Sequence, residues 1–116
     1  GGKNDAEMLE DIINSNIGSN CVSFENLTIE ETMPIIKNCD LYIGNDTGWL
    51  HISSGLGLKC LALFMDSPVM AYGKYSKNIS VVIPDGETEE STTHDTLGKD
   101  KISFKKVYIK ALELLS

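Results

Sequence analysis

The sequence predicts an α/β protein, a Rossmann-like parallel sheet with helices on both faces, and three observations predict it. Strand-like and helix-like segments alternate along the chain. Cys60-Leu61-Ala62-Leu63-Phe64 is a nearly unbroken apolar run of the kind a parallel sheet buries on both faces. The polar turn Gly44-Asn45-Asp46-Thr47-Gly48 falls between a strand and a helix, where open parallel sheets place their ligands.

Taken in order, Asp5 to Asn14 reads as a helix with Ala6, Leu9, Ile12 and Ile13 at helical spacing and Asp5 as its N-cap. Cys21-Val22-Ser23-Phe24 reads as a short strand. Thr28-Ile29-Glu30-Glu31 has the form of a capping box, in which hydroxyl and carboxylate each satisfy an orphan amide. The helix it opens turns Ile29, Met33, Ile35 and Ile36 inward and ends near Asn38, with Pro34 expected to kink it or loosen one hydrogen bond. Leu41-Tyr42-Ile43 is a buried strand and Trp49 to Leu56 a short helix. After Pro68 the chain reads as loop through Tyr72-Gly73-Lys74-Tyr75, and Ile79 to Ile83 as a further strand. Pro84 to Lys101, rich in Asp, Glu, Ser and Thr, reads as an exposed, mobile connection without chemistry of its own, His94 included. The last helix carries Phe104, Val107, Tyr108, Ala111, Leu112 and Leu115 on one face.

At 116 residues the chain suits one domain, Gly1 to Ser116. Its 17 acidic against 10 basic residues give a formal charge of −7, which argues against a nucleic-acid groove and against docking on anionic lipid. A small anion is still allowed, because amides at a helix start supply positive potential locally. Cys21, Cys39 and Cys60 are odd in number and lack CxxC spacing, so they read as buried, reduced thiols in a reducing cytosolic setting rather than as metal ligands or nucleophiles. No apolar run is long enough to span a bilayer, and the segment Gly1 to Asp5 does not read as a signal peptide. The expected location is cytoplasmic, extending to the inner membrane face as a peripheral protein.

The chemistry concentrates between Gly44 and His51. Gly48 lacks a Cβ, so its backbone can approach a ligand closely. Asp46 or Thr47 can cap the helix. The amides of Thr47, Gly48 and Trp49 point out of the helix start, where a diphosphate is favoured by geometry and dipole together. Thr47 adds a hydroxyl donor, and His51, about one turn in, can reach the same anion. On residue chemistry alone a well-capped helix with a structural histidine accounts for this turn equally well.

The stretch from Asp40 to Phe64, with Asp46-Thr47-Gly48, two residues and His51 between two apolar strands, resembles the signature of glycosyltransferase family 9, the ADP-heptose heptosyltransferases of lipopolysaccharide core assembly. The entry at Thr28 to Glu31 and the final helix from Val107 to Leu115 also resemble the family's equivalents. The resemblance implies a GT-B enzyme, two Rossmann-like domains facing across a cleft, with this chain as the carboxyl-terminal, donor-binding one. It implies that Thr47 and Gly48 contact the donor's diphosphate with His51 close by, and that Asp46 faces the transferred sugar. Gly1-Gly2-Lys3-Asn4-Asp5 resembles the family's Gly-x-x-x-Glu turn, whose acid bonds the ribose; Asp5 is the candidate, Glu7 the second. Leu27 matches a position packing near the base. Asp5 as an N-cap and Leu27 as a hydrophobic staple are the structural alternatives.

Two departures stand out. The family's Phe-Gly-Pro-Thr is here Phe64-Met65-Asp66-Ser67-Pro68, with Ser67 available to replace the hydroxyl, and Trp49 is bulkier than the usual residue, packing on a partner domain or shielding the site. The implied reaction uses the ADP-sugar as substrate and needs no cofactor and no metal; its partners are a nucleotide diphosphate sugar and a saccharide or lipopolysaccharide acceptor. No catalytic residue is expected in this chain, because the family's base comes from the amino-terminal domain. The opening helix preceded only by Gly-Gly suggests a fragment beginning just after a strand. Another nucleotide-sugar half-domain (a UDP-sugar transferase or epimerase), a flavodoxin-like regulatory module, and a folding or docking partner are the rival readings.

Overall fold

The computed structural model describes residues 3–116. Two compact units emerge, Gly1–Ile35 and Ile36–Ser116.

In the first unit a 3-10 turn, Lys3–Asp5, leads into α1, Ala6–Ile13. No residue of α1 is buried; Ala6, Leu9 and Ile13 line a shallow hollow with Ser23 and Glu25, while Met8 and Ile12 are exposed. Asp5 stands at the N-cap position, but its side chain makes no capping hydrogen bond, contrary to the sequence expectation. The strand expected at Cys21 to Phe24 does not form. Cys21 is extended, with φ −117° and ψ 139°, but the other described elements of this unit are helical and offer no ladder. The capping box is present as read: the Thr28 N–H donates to Glu31 Oε2 at 2.8 Å, and the Glu31 N–H donates to Thr28 Oγ1 at 3.2 Å. It opens α2, Ile29–Lys37, which accommodates Pro34. Ile29 is exposed rather than inward; the buried residue of this helix is Thr32, whose hydroxyl donates to the Thr28 carbonyl at 2.7 Å.

The second unit holds the sheet. Strands β1 (Leu41–Asn45), β2 (Lys59–Leu63) and β3 (Ile79–Val82) are all parallel, in the order β1-β2-β3. Tyr42 lies opposite Cys60 and Gly44 opposite Ala62; Cys60 in turn lies opposite Ile79. Being central, β2 is covered on both sides, and the period of two sorts its residues into two cores. Cys60 and Ala62 pack with Phe64, Leu50, Leu58 and Val69; Leu61 packs with Val82 and Ala111.

Helix α3, Gly48–Gly55, connects β1 to β2 and contributes Leu50 to the first core. A short α4, Val69–Tyr72, forms within the stretch read as loop, seating Val69 beside Phe64. Helix α5, Phe104–Leu115, covers the other face. Its N-cap is Ser103, whose Oγ accepts from the Lys106 N–H at 3.2 Å, and at its other end Lys59 Nζ donates to the Leu114 carbonyl at 2.8 Å. The inward stripe of α5 is the buried Ala111 with the partly buried Val107 and Leu114; Phe104, Tyr108, Leu112 and Leu115, expected on the inner face, are exposed.

The polar connection after β3 is mostly exposed, as expected, but it is anchored at a few buried points. Thr92 is 1% exposed and Pro84 is buried. The Gly98 N–H donates to the Met65 carbonyl at 2.8 Å, and a Cβ on Gly98 would fall 2.1 Å from Pro84 Cγ. Thr88, Ser91, Thr93 and Thr96 close successive turns with their hydroxyls, so side chains replace the ladder bonds that regular structure would supply. Of the three cysteines Cys60 is buried, Cys21 half-buried and Cys39 exposed, so the expectation of burial holds for Cys60.

Candidate functional site

The carboxyl edge of β1 delivers Asn45 and Asp46 into a sharp turn, and Thr47, with φ −139° and ψ 172°, stands immediately before α3. The Thr47 hydroxyl does not cap the helix. It pairs with the Tyr42 phenol, which runs along β1 over Gly44; a Cβ on Gly44 would lie 2.3 Å from the Tyr42 hydroxyl. Asp46 does not serve as the cap residue either, and its Oδ1 lies 3.1 Å from His51 Nε2. The first amides of α3, which have no intrahelical acceptor, therefore lack the Asp46 or Thr47 side-chain cap foreseen from the sequence.

Gly48 is exposed, and a Cβ built on it would meet nothing within 4 Å. Its φ is outside the left-handed region. Neither backbone conformation nor packing within the chain demands glycine there.

His51 is engaged at both ring nitrogens: Nε2 with Asp46 and Nδ1 with the Tyr75 hydroxyl at 2.6 Å. The Asp46 side chain is 13% exposed and that of His51 38%, so the pair sits at the rim of the turn rather than in the core. Burial, foremost, pushes the Tyr42 phenol above its ordinary range; the Thr47 hydrogen bond opposes that shift, and the charges of Cys60 and Asp46 add to it. Burial also pushes up the Cys60 thiol, which lies opposite Tyr42.

Beside the turn a cavity of about 230 Å³ opens at the carboxyl ends of β1 and β2, lined by Asn45, Asp46, Leu63, Met65, Asp66, Ser67 and Lys99. Ser67, read as a possible replacement for the family's hydroxyl, is among the lining residues. Lys99 was missed from sequence: it follows Gly98, which is locked under Pro84, and no local pattern marks it. Tyr75 was missed for the same reason, being remote from His51 along the chain. A larger hollow of about 490 Å³ lies at the opposite end of the strands, lined by Lys37, Asp40, Gly57 and Lys59 among others. The smaller cavity is the better candidate, because loops that bind ligands in such sheets lie at the carboxyl ends.

The structure therefore brings together Asp46, Thr47, Gly48 and His51. Asp5 and Leu27 belong to the Gly1–Ile35 unit. Within it Asp5 closes the 3-10 turn before α1, and the Leu27 N–H donates to the Phe24 carbonyl at 3.1 Å ahead of the capping box. Gly1 and Gly2, the start of the turn assigned to ribose, lie outside the described residues. Trp49 is half-buried. Among the described residues no cluster of three or more His, Cys, Asp or Glu is placed to hold a metal, and no helix is long and apolar enough to cross a membrane.

Fold and site together define a Rossmann-like α/β unit with a polar helix-start turn at the carboxyl edge of a parallel sheet. The family model of glycosyltransferase family 9 (heptosyltransferase) matches residues 1–101 of the 116. The chain belongs to that family, and its function is that of a glycosyltransferase domain. A search of curated proteins and a search of solved structures return no match.

Proposed function

We propose that this chain is the donor-binding half of a GT-B enzyme that transfers heptose, or a related sugar, from a nucleotide diphosphate sugar to a lipopolysaccharide-type acceptor. The observation that carries this reading is Gly48: a glycine in the first turn of α3 that the chain's own packing does not require, facing open space. A ligand lying against the backbone is a reason to exclude a side chain there.

The donor's diphosphate is assigned to the α3 amides at Gly48 and Trp49, with the Thr47 hydroxyl beside them. The transferred sugar is assigned to the cavity lined by Asp46, Ser67 and Lys99, where carboxylate, hydroxyl and ammonium offer acceptors and donors to its hydroxyls. Asp5 is assigned to the ribose and Leu27 to the base. In the reaction, the acceptor oxygen forms a bond to the anomeric carbon as the bond to the diphosphate oxygen breaks. The leaving diphosphate gains negative charge, and the helix-start amides are aimed at that charge. The base that takes the acceptor's proton is assigned to the facing domain, and no metal or cofactor enters the scheme.

Calorimetric titration with ADP and with UDP tests the reading. ADP binding in preference to UDP, with negligible sugar transfer by this chain alone, supports it. Preference for UDP would point to a different nucleotide-sugar enzyme, and absence of any nucleotide binding would remove the donor role.

A further inference from the structure

The two nitrogens of His51 meet partners of opposite character. A carboxylate only accepts, so the nitrogen facing Asp46, Nε2 at 3.1 Å, carries the hydrogen. In the neutral ring that leaves Nδ1 as an acceptor, and the Tyr75 phenol at 2.6 Å supplies the matching donor. The two rings lie 5.6 Å apart between centroids and 30° from parallel, so Tyr75 flanks the imidazole as well as bonding it.

Tyr75 does not hold this position alone. It belongs to the loop between α4 and β3, which is fastened to α3 a second time one turn further on. Ser54 Oγ donates to Ser76 Oγ at 3.0 Å, and Ser76 Oγ accepts from the Asn78 N–H at 3.2 Å. His51 and Ser54 are three apart on one face of α3, so the loop meets that face at two consecutive points. Ser54 is buried, 6% exposed, which makes the second point a fixed one.

We infer that Tyr75 is a positioning residue: Asp46 sets the Nε2–H tautomer, the Tyr75 hydroxyl bonded to Nδ1 holds the ring in place, and His51 in turn orients the Asp46 carboxylate at the mouth of the cavity. His51 then acts on the ligand through Asp46 and not through its own ring nitrogens. Asp46 keeps one oxygen for His51 and offers the other to a hydroxyl of a bound sugar. The tautomer follows from the protein geometry alone; the consequence for sugar binding rests on the donor-site reading above.

Two-bond proton–nitrogen correlation spectra of the labelled protein, in mildly alkaline buffer, report the tautomer directly. There are two histidines, and His94→Gln separates their signals. His51 is expected as Nε2–H with Nδ1 hydrogen-bonded, and Tyr75→Phe is expected to move the Nδ1 resonance toward its unbonded position while Asp46 keeps the hydrogen on Nε2. The Ser54–Ser76 bond remains in that variant to keep the loop in place, checked by an unchanged Tm. An Nδ1–H tautomer in the parent protein, or an unaltered His51 spectrum in Tyr75→Phe, overturns the inference.

Titrations with ADP and with ADP-heptose supply the second readout. Tyr75→Phe should raise the Kd for ADP-heptose roughly 3- to 10-fold, the effect of one weakened neutral hydrogen bond, and leave that for ADP within about 2-fold. Equal losses for both ligands contradict the assignment to the sugar side. A parent protein that binds neither ligand refutes the donor-site reading, while the spectra still decide the tautomer.

Discussion

The phenol of Tyr42 occupies the space that a side chain on Gly44 would need. A Cβ at Gly44 would lie 2.3 Å from the Tyr42 hydroxyl and 2.7 Å from Cζ. The two residues share a face of β1, and the displaced volume carries the phenol up to Thr47 at the entrance of α3. Gly44→Ala is therefore expected to destabilise the protein by roughly 1–3 kcal/mol, the usual effect of overpacking. In a Tyr42→Ala background the same change should have almost no effect. Urea midpoints of the two single variants and the double variant measure this coupling, and additive effects would contradict it.

Alkaline titration should expose the half-buried Tyr42 and the buried Cys60. Burial raises both groups above their ordinary values of 10.0 and 9.0. In that range the folded state keeps protons that the unfolded chain has lost, so stability falls as pH rises. The contribution is fully present below pH 9.0, and its loss begins there through the thiol and continues above 10.0 through the phenol. Cys60→Ala should flatten the lower part of this decline and Tyr42→Phe the upper part, read as urea midpoint against pH.

Lys99 places a positive charge at the rim of the cavity that also holds Asp46 and Asp66. Lys99→Met should weaken ADP-heptose binding about 3- to 5-fold in dilute buffer, an effect that added salt diminishes because the side chain is exposed. Thermal stability should be unchanged. Calorimetry at two ionic strengths checks both statements.

The capping box makes a stability claim independent of ligand. Thr28→Ala removes the acceptor of the Glu31 N–H and is expected to cost about 1 kcal/mol. Thr28→Ser should recover most of that loss, since the hydroxyl is restored. Denaturant midpoints of the two variants provide the comparison.

What could be read from the chain was local. The box from Thr28 to Glu31 spans four residues, and β2 announces itself by a nearly unbroken apolar run. The turn from Asp46 to Gly48 is consecutive in sequence for the same reason. Cys21 to Phe24 has strand-like composition, but a strand exists only when a neighbour supplies its ladder, and composition does not reveal the neighbour. Helix α5 carries two adjacent apolar stripes, and packing on Leu61 and Val82 selected Val107, Ala111 and Leu114 over Phe104, Tyr108 and Leu112. Tyr75 and Lys99 reach the site from segments with no pattern of their own, through His51 and through Gly98 pinned beneath Pro84.

In the proposed site a donor diphosphate lies against the start of α3. Gly48→Val would block that contact, because the added side chain would project into space that is empty of protein. The fold should be indifferent, with Tm shifted by no more than about 2–3 °C. Calorimetric ADP binding to the variant should fall by at least about 100-fold, the loss of nearly 3 kcal/mol. Undiminished ADP affinity in a folded Gly48→Val protein would place the diphosphate elsewhere.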